Sequence, residues 1–204
     1  MELLPLTLTA CRGNWQRFSS RKQNKAFSEI QERVFKRDNA TCRYCGFQSG
    51  HFQEVINADH NYSNNNLDNL MTACCFCAQC FFVESIGLDA RSGGVVIQLP
   101  EISQADLNHF CRVLFCSLQR DAPYKGKLQA VYLSLKDRGQ AIEQAFGPET
   151  SNPSVFGQAM IDSGLTKEQK NQVLMQSLRL LPARKPFKAQ IDYWQSTVFA
   201  NIPL

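Results

Sequence analysis

Two pairs of cysteines have the spacing of a tetrahedral metal site. Cys42 and Cys45 form one C-x-x-C pair, Cys74 and Cys77 form another, and 28 residues separate the two pairs. Two residues between cysteines allow a tight turn to present both thiolates to one ion, and four converging thiolates are a ligand set of structural zinc. The sequence therefore predicts one structural zinc ion per chain. An iron–sulfur cluster also takes four cysteines, so the spacing alone leaves this alternative open.

The other cysteines offer one competing ligand set. Cys80 follows Cys77 at the same C-x-x-C spacing, and Cys75 adjoins Cys74, so either could replace a predicted ligand. The rest are most simply interpreted as small buried hydrophobic residues: Cys11, Cys111 and Cys116.

Composition limits the class of protein. A chain of 204 residues can form one domain with a sizeable core, and its net charge of +4 is low for a protein that binds nucleic acid through charge alone. Nine cysteines, several of them in C-x-x-C spacing, indicate metal binding rather than disulfides. Because free thiols need a reducing compartment and no run of about 18 apolar residues occurs, we expect a cytoplasmic protein.

Positive charge is concentrated near the N-terminus. Residues 12–37 contain eight Lys or Arg side chains and only two Glu side chains. Such a stretch is most simply a solvated face of an arm and a helix. The more specific interpretation is that these basic residues form a surface that binds an anionic partner.

Hydrophobic periodicity predicts the elements that would position the cysteines. Phe27, Ile30 and Val34 share one face of a helix that leads directly into the first pair. The predicted elements of this half are a helix over 24–37, a strand over 55–58, a polar loop over 61–69, a short helix over 72–84 and a strand over 95–99.

The second half of the chain is predicted to be helical throughout. Phe110 and Val113 belong to the apolar face of a helix that begins after Ser103. A capping box at 166–169 begins a later helix that carries Leu178 and Leu181. Further helices are predicted over about 125–145 and 187–199.

A wider set of residues around the cysteines resembles the HNH endonuclease motif. In chain order these residues are Arg37-Asp38, Cys42 to Gly46, Asp59-His60, Asn69-Leu70 and Cys74 to Cys77. The resemblance covers residues 33–84 and implies a ββα-metal fold. It also favours Cys74 and Cys77 over Cys75 and Cys80 as ligands, and zinc over an iron–sulfur cluster.

The HNH resemblance implies catalytic roles that one position puts in doubt. By the family pattern, His60 would be the general base that activates a water, Asp59 would bind the catalytic cation, and Asn69 would support the loop. Active enzymes have His or Asn directly after the last cysteine, where this chain has Ala78. Alanine offers no lone pair to the cation, and Gln79 lies about 100° further round a helix. We therefore predict no catalytic activity, with a metal-dependent DNA endonuclease using His60 as the alternative.

These observations predict an α+β fold, in which an HNH-like ββα-metal zinc module is followed by a mainly helical C-terminal region. The predicted divisions are an N-terminal arm over 1–23, the zinc module over 24–100 and the helical region over 101–204. We expect the helical region to pack on the module as one domain.

The second half narrows the resemblance to one family. An HNH-like module without its last ligand, followed by the segments Leu178–Lys185 and Ile191–Trp194, resembles the IcmJ (DotN) family of the Dot/Icm type IV secretion system of intracellular bacterial pathogens. The resemblance implies a non-enzymatic subunit of the coupling complex, which meets the inner membrane only through that complex. The implied partners are the cytosolic tail of a DotL-like coupling ATPase, other coupling-complex subunits and adaptors that recruit effector proteins.

Binding to nucleic acid without cleavage is a third hypothesis. It has less support, because the net charge is low and basic and aromatic residues do not interleave at a recognisable site. For a protein partner, aromatic and arginine residues near the C-terminus are of the types enriched at binding hot spots. These residues are Arg179, Arg184, Phe187, Tyr193 and Trp194. The alternative for Phe187 and Trp194 is that they dock the last helix onto the domain.

Overall fold

The computed structural model describes residues 2–88, 92–120, 123–164 and 176–202. Within these ranges the chain forms two small antiparallel sheets of two strands each, with helices packed around them. The predicted combination of small sheets and several helices is confirmed.

Two helices lie before the first cysteine pair. The first, α1 (Asn14–Arg21), lies within residues 1–23, the segment predicted as an N-terminal arm. The second, α2 (Lys25–Arg37), confirms the predicted helix. Phe27 and Val34 are two turns apart and therefore share the face of α2 that is buried.

A β-hairpin follows the first cysteine pair. Strand β1 (Gln53–Asn57) pairs antiparallel with β2 (Leu70–Cys74), and Val55 lies opposite Thr72. The predicted helix over 72–84 is therefore wrong at its start. A segment as short as β2 carries little periodic information, and its pairing with β1 decides its conformation.

Helix α3 (Cys75–Ala78) begins directly after β2. It continues into 3₁₀ turns over Gln79–Phe81 and Val83–Ser85. The order strand, strand, helix thus occupies residues 53–78. Phe76, at the centre of α3, is fully buried and anchors this helix in the core.

The second sheet joins distant parts of the chain. Strand β3 (Gly94–Gln98) begins and ends one residue before the strand predicted over 95–99. It pairs antiparallel with β4 (Leu178–Pro182). Leu178 and Leu181 therefore belong to a strand, and the predicted helix through them is wrong. The capping box at 166–169 lies outside the described residues.

Close contact between the strands of this second sheet requires a glycine. A Cβ atom added at Gly94 would lie 2.5 Å from the carbonyl oxygen of Leu181. Any residue with a Cβ atom at position 94 would clash with this oxygen, so the position requires glycine.

Five helices lie in the second half of the described chain. They are α4 (Gln104–Ser117), α5 (Lys125–Asp137), α6 (Gln140–Phe146), α7 (Pro153–Asp162) and α8 (Lys188–Ser196). The helix predicted over 125–145 is divided between α5 and α6 near Gly139. Glycine weakens a helix interior, and a Cβ atom at this position would lie 3.0 Å from Val95.

Helices α4 and α8 pack against α3. The Phe76 ring lies 4.8 Å from the Phe187 ring and 5.3 Å from the Trp194 ring, measured between centroids. Phe110 and Val113 do not take part in this packing. They are 40% and 42% exposed, so the prediction that they face inward from α4 is wrong.

Candidate metal centre

Four sulfur atoms converge beside the hairpin. The Sγ atoms of Cys42, Cys45, Cys74 and Cys77 all lie within 4.8 Å of one another, and all four residues are buried. The Sγ atoms of Cys45 and Cys74 are 3.7 Å apart. The structure thus brings together the four cysteines that the sequence singles out as ligands.

Backbone hydrogen bonds place the first pair next to the second. Cys42 N donates to Phe47 O at 2.9 Å and closes a turn in which Gly46 adopts a φ of 74°. Arg43 N donates to Thr72 O at 2.8 Å, which ties this turn to β2. The second pair follows at the end of β2 and on α3.

The competing cysteines lie outside the sulfur cluster. Cys80 Sγ donates to the carbonyl oxygen of Phe76 at 3.4 Å and belongs to a separate hydrophobic cluster. Cys75 is half-buried and lines a small cleft. Of the cysteines expected to be buried hydrophobic residues, Cys111 and Cys116 are buried, whereas Cys11 is only partly buried.

Four thiolates this close together require a cation. Burial raises the pKa of the Cys42 and Cys77 thiols, whereas hydrogen bonds from the neighbouring thiols lower the pKa of Cys45. Burial also opposes charge on Cys74, but hydrogen bonds from neighbouring thiols lower its pKa. Some of the sulfurs can therefore be charged only while their neighbours keep their protons. A divalent ion removes this conflict. Zn–S bonds of about 2.3 Å would place tetrahedral sulfurs about 3.8 Å apart, close to the 3.7 Å between Cys45 and Cys74. The residues fit a metal ion held by four thiolates.

Helix α4 supplies polar groups to the buried sulfurs. Arg112 Nη2 donates to Cys74 Sγ at 3.2 Å, and Asn108 Nδ2 donates to Cys77 Sγ at 3.3 Å. His109 contacts the backbone of the first pair. No role was predicted for these three residues from the sequence. They are polar positions close together on an otherwise apolar helix face, and that pattern could have revealed them.

The partners of His109 determine its tautomer. Hydrogen bonding to Cys45 raises the pKa of His109. Its Nδ1 atom, however, lies 3.1 Å from Arg112 Nη1, and a guanidinium can only donate. Nδ1 is therefore the acceptor, and the proton resides on Nε2, which donates to the Cys45 carbonyl oxygen. We assign the neutral imidazole on this geometry.

Asp59 and Asn69 brace the loop between β1 and β2. The Asp59 carboxylate accepts hydrogen bonds from Asn69 Nδ2 at 2.9 Å, Asn64 Nδ2 at 2.8 Å and Asn61 N at 2.8 Å. Asn69 Oδ1 in turn accepts from Asp59 N at 3.0 Å. Slight burial acts in the opposite direction, but these donors keep the pKa of Asp59 below its usual value. The carboxylate is thus occupied within its own loop.

His60 lies in the same loop and faces an aromatic side chain. Its backbone has a φ of 60°, and its ring lies 5.5 Å from the Phe81 ring between centroids. Ala78 lines a separate cleft with Trp15. The side-chain oxygen of Gln79 accepts a hydrogen bond from Gly93 N at 3.4 Å, away from this loop. Neither Ala78 nor Gln79 therefore offers a ligand atom towards His60.

Comparison with known proteins places the chain in a family. No protein-family profile matches it. The type 4 apparatus protein DotN of Legionella pneumophila subsp. pneumophila is 47% identical over 197 residues, which cover 97% of this chain and 92% of that protein. The chain belongs to the DotN family. The family resemblance predicted from the sequence is confirmed, whereas the HNH-like character of the cysteine module stays a prediction.

Several basic side chains of this DotN-family chain are engaged within the fold. Arg12 pairs with Asp162 at 3.1 Å and Lys22 with Glu54 at 2.7 Å. Arg21 is buried, with its guanidinium carbon 4.3 Å from the Phe27 ring centroid. Partners within the chain thus account for part of the positive charge over residues 12–37, for which an anionic partner was the alternative.

The Arg37-Asp38 pair of the motif also has a structural role. Arg37 Nη2 donates to the Leu70 carbonyl oxygen at 2.6 Å, and Asp38 Oδ2 accepts from Thr72 N at 3.0 Å. The two residues also pair with each other at 2.9 Å. Together they fasten the end of α2 to strand β2, which carries Cys74.

The candidate contact residues at the C-terminus of the DotN-family chain differ in exposure. Phe187 and Trp194 are each 1% exposed, so they dock α8 onto the domain as the alternative predicted. Tyr193, Arg179 and Arg184 are partly exposed. Among the described helices, none is long and apolar enough to cross a membrane.

Proposed function

We propose that this DotN-family chain is a non-catalytic subunit of a type IV secretion coupling complex and supports the export of effector proteins. The observation that carries this proposal is its 47% identity to a type 4 apparatus protein over nearly the full length of both chains. A match of that extent includes the metal centre, both sheets and the C-terminal helices. The role of an apparatus component is therefore transferred to the whole chain rather than to one segment.

The metal in this proposal is one structural zinc ion. Structural zinc is bound tetrahedrally by four protein ligands, whereas catalytic zinc keeps one coordination position for water or substrate. All four sulfurs are buried, and polar groups of α4 already contact two of them. This enclosure supports a role in holding the fold and leaves no position for a substrate.

The cysteine module acts as an HNH-like scaffold without a catalytic metal. The strand–strand–helix order over 53–78 and the Asp59-His60 loop support the HNH-like part of this proposal. Three hydrogen bonds occupy the Asp59 carboxylate, and Phe81 presents hydrocarbon to His60. A cation that must stabilise a scissile phosphate would find no second protein ligand at Ala78.

The partner in this proposal is the cytosolic tail of a DotL-like coupling ATPase, together with other coupling-complex subunits and effector adaptors. Through that tail the chain would reside at the cytoplasmic face of the inner membrane. Phe110 and Val113 lie one turn apart on the outer face of α4 and are both exposed, which supports a role in binding another protein.

A binding titration tests the proposed partner. The labelled tail of the coupling ATPase from the same organism is titrated with the purified, metal-loaded chain, and fluorescence anisotropy is followed. Saturable binding is expected, with none to a scrambled tail of equal composition. Equal responses to both peptides, or no response to either, would contradict the proposal.

The alternative function is a metal-dependent HNH DNA endonuclease with His60 as the general base. One observation favours it: Asp59 and His60 share the hairpin loop, and Asn69 supports Asp59 by two hydrogen bonds. Nuclease assays of the wild-type chain and of His60→Ala separate the two functions.

A further inference from the structure

We infer that Arg112 is a positioning residue of the metal centre, where its guanidinium offsets part of the thiolate charge and orients the sulfurs of Cys74 and Cys45. This inference rests on the proposed metal site. It goes beyond that site because Arg112 is not one of the four ligands, yet the site depends on it.

The first support is the contact between Arg112 and the sulfurs. Arg112 Nη2 lies 3.2 Å from Cys74 Sγ and 3.9 Å from Cys45 Sγ. These sulfurs come from different C-x-x-C pairs, so one guanidinium bridges both halves of the ligand set. A donor that carries a full charge strengthens such hydrogen bonds when the acceptor is an anion.

The second support is the burial of Arg112 among aromatic rings. Its side chain is 1% exposed, and its guanidinium carbon lies 3.7 Å from the Phe47 ring centroid and 5.3 Å from the Trp194 ring centroid. Arginine stacks on aromatic faces and is less strongly hydrated than lysine, so it suits a dry site of this kind. The rings fix the guanidinium plane and keep water from the sulfurs.

The third support is charge balance. Four thiolates around a divalent ion leave two negative charges in a buried position, and buried charge is costly unless an opposite charge lies close. Arg112 brings one positive charge. Among the described residues no carboxylate pairs with Arg112, and its polar partners are the two sulfurs and a neutral His109. Arg112 and the thiolates therefore compensate each other.

His109 extends the role of Arg112 to the backbone. Arg112 Nη1 donates to His109 Nδ1 at 3.1 Å, and His109 Nε2 contacts the Cys45 carbonyl oxygen. The guanidinium thus holds Cys45 by its sulfur and, through the imidazole, by its main chain. Residues that hydrogen-bond to metal ligands without binding the metal orient those ligands and tune their donor strength.

Three variants test the inference. Arg112→Met removes the charge and both sulfur contacts, Arg112→Lys keeps the charge, and Ser117→Ala is the control. Ser117 is another buried polar residue of α4, and its hydroxyl donates to the Val113 carbonyl oxygen at 2.9 Å. We expect the zinc dissociation constant to rise about 10–100-fold in Arg112→Met. Arg112→Lys should recover part of this loss, and Ser117→Ala should stay within about threefold of the wild type, because it leaves the hydrogen bonds to the sulfurs in place.

Cobalt substitution gives a readout that lost stability alone would not move. Thiolates freed from a charged donor are more electron-rich, so the thiolate-to-cobalt charge-transfer band should move to longer wavelength in Arg112→Met but not in Ser117→Ala. Zinc affinity and cobalt bands equal to those of the wild type in Arg112→Met would overturn the inference while leaving the metal site intact. No metal in the wild-type chain would overturn both.

A measurement on the wild type covers the case in which Arg112→Met does not fold. In the chain loaded with cadmium-113, an Arg112 Nη proton should show scalar coupling to the metal across its hydrogen bond to Cys74 Sγ. A cadmium-loaded spectrum without that coupling would overturn the inference.

Discussion

Replacing Cys74 by serine removes one sulfur of the cluster, and the adjacent Cys75 offers a matched control. Cys74 is fully buried among the four sulfurs, whereas Cys75 is half-buried and lines a cleft with Trp15. Both substitutions exchange the same atoms at neighbouring positions. Loss of zinc in Cys74→Ser alone would therefore report the metal site rather than the chemistry of serine.

The expected effect is as large as the whole stability of an ordinary domain. Structural zinc contributes about 10–16 kcal/mol in zinc-finger peptides at neutral pH, whereas whole domains unfold with about 5–15 kcal/mol. The metal also closes the 28-residue segment between the two cysteine pairs, which contains the hairpin. We expect Cys74→Ser to lose stoichiometric zinc and the cooperative unfolding of the hairpin and α3. Cys75→Ser should keep both.

Elemental analysis and urea unfolding, followed by circular dichroism, measure the two effects. Both proteins are purified under reducing conditions without added chelator. About one zinc per chain in Cys75→Ser and wild type, together with its loss in Cys74→Ser, is the expected outcome. Stoichiometric zinc and an unchanged urea midpoint in Cys74→Ser would refute the assignment of this ligand.

Three further outcomes are expected. The wild-type chain should not cleave DNA with Mg²⁺, Mn²⁺ or Ni²⁺, and cleavage that disappears in His60→Ala would instead support the endonuclease. Burial raises the pKa of Glu84 from 4.5 to about 7. Because this folded-state value lies above the unfolded one, stability should fall by up to about 3 kcal/mol as pH rises from 4.5 to 7, and urea unfolding of Glu84→Gln should lack that slope. A Cβ atom at Gly94 would lie 2.5 Å from Leu181 O, so Gly94→Ala should cost about 1–3 kcal/mol of unfolding free energy. Gly126→Ala in α5, with open space around it, should cost nothing, and equal losses in both variants would contradict the packing argument.

Local patterns in the sequence predicted the parts of the fold that depend on neighbouring residues. The C-x-x-C pairs form through turns within a few residues, and α2 shows its buried face through Phe27 and Val34. Ser103 caps α4 as its position suggests, accepting a hydrogen bond from Asp106 N at 3.1 Å. Each of these features is decided by atoms that lie close in the chain.

Features that depend on distant residues could not be predicted in this way. The leucines of β4 suit a helix or a strand equally, and only their pairing with β3 makes them a strand. Phe110 and Val113 fit an inward helix face by spacing, yet the packing of α4 leaves them exposed. The role of Arg112 becomes visible only when α4 is placed against the sulfurs of both cysteine pairs.

Co-purification from native membranes tests the central claim most directly. The chain is tagged at its chromosomal locus, membranes are solubilised gently, and the proteins that elute with it are identified and quantified. We predict that the coupling ATPase elutes in a fixed ratio to the chain and that an ATPase lacking its cytosolic tail does not. Elution of the chain without the ATPase, or equal recovery with and without the tail, would contradict the proposed place in the coupling complex.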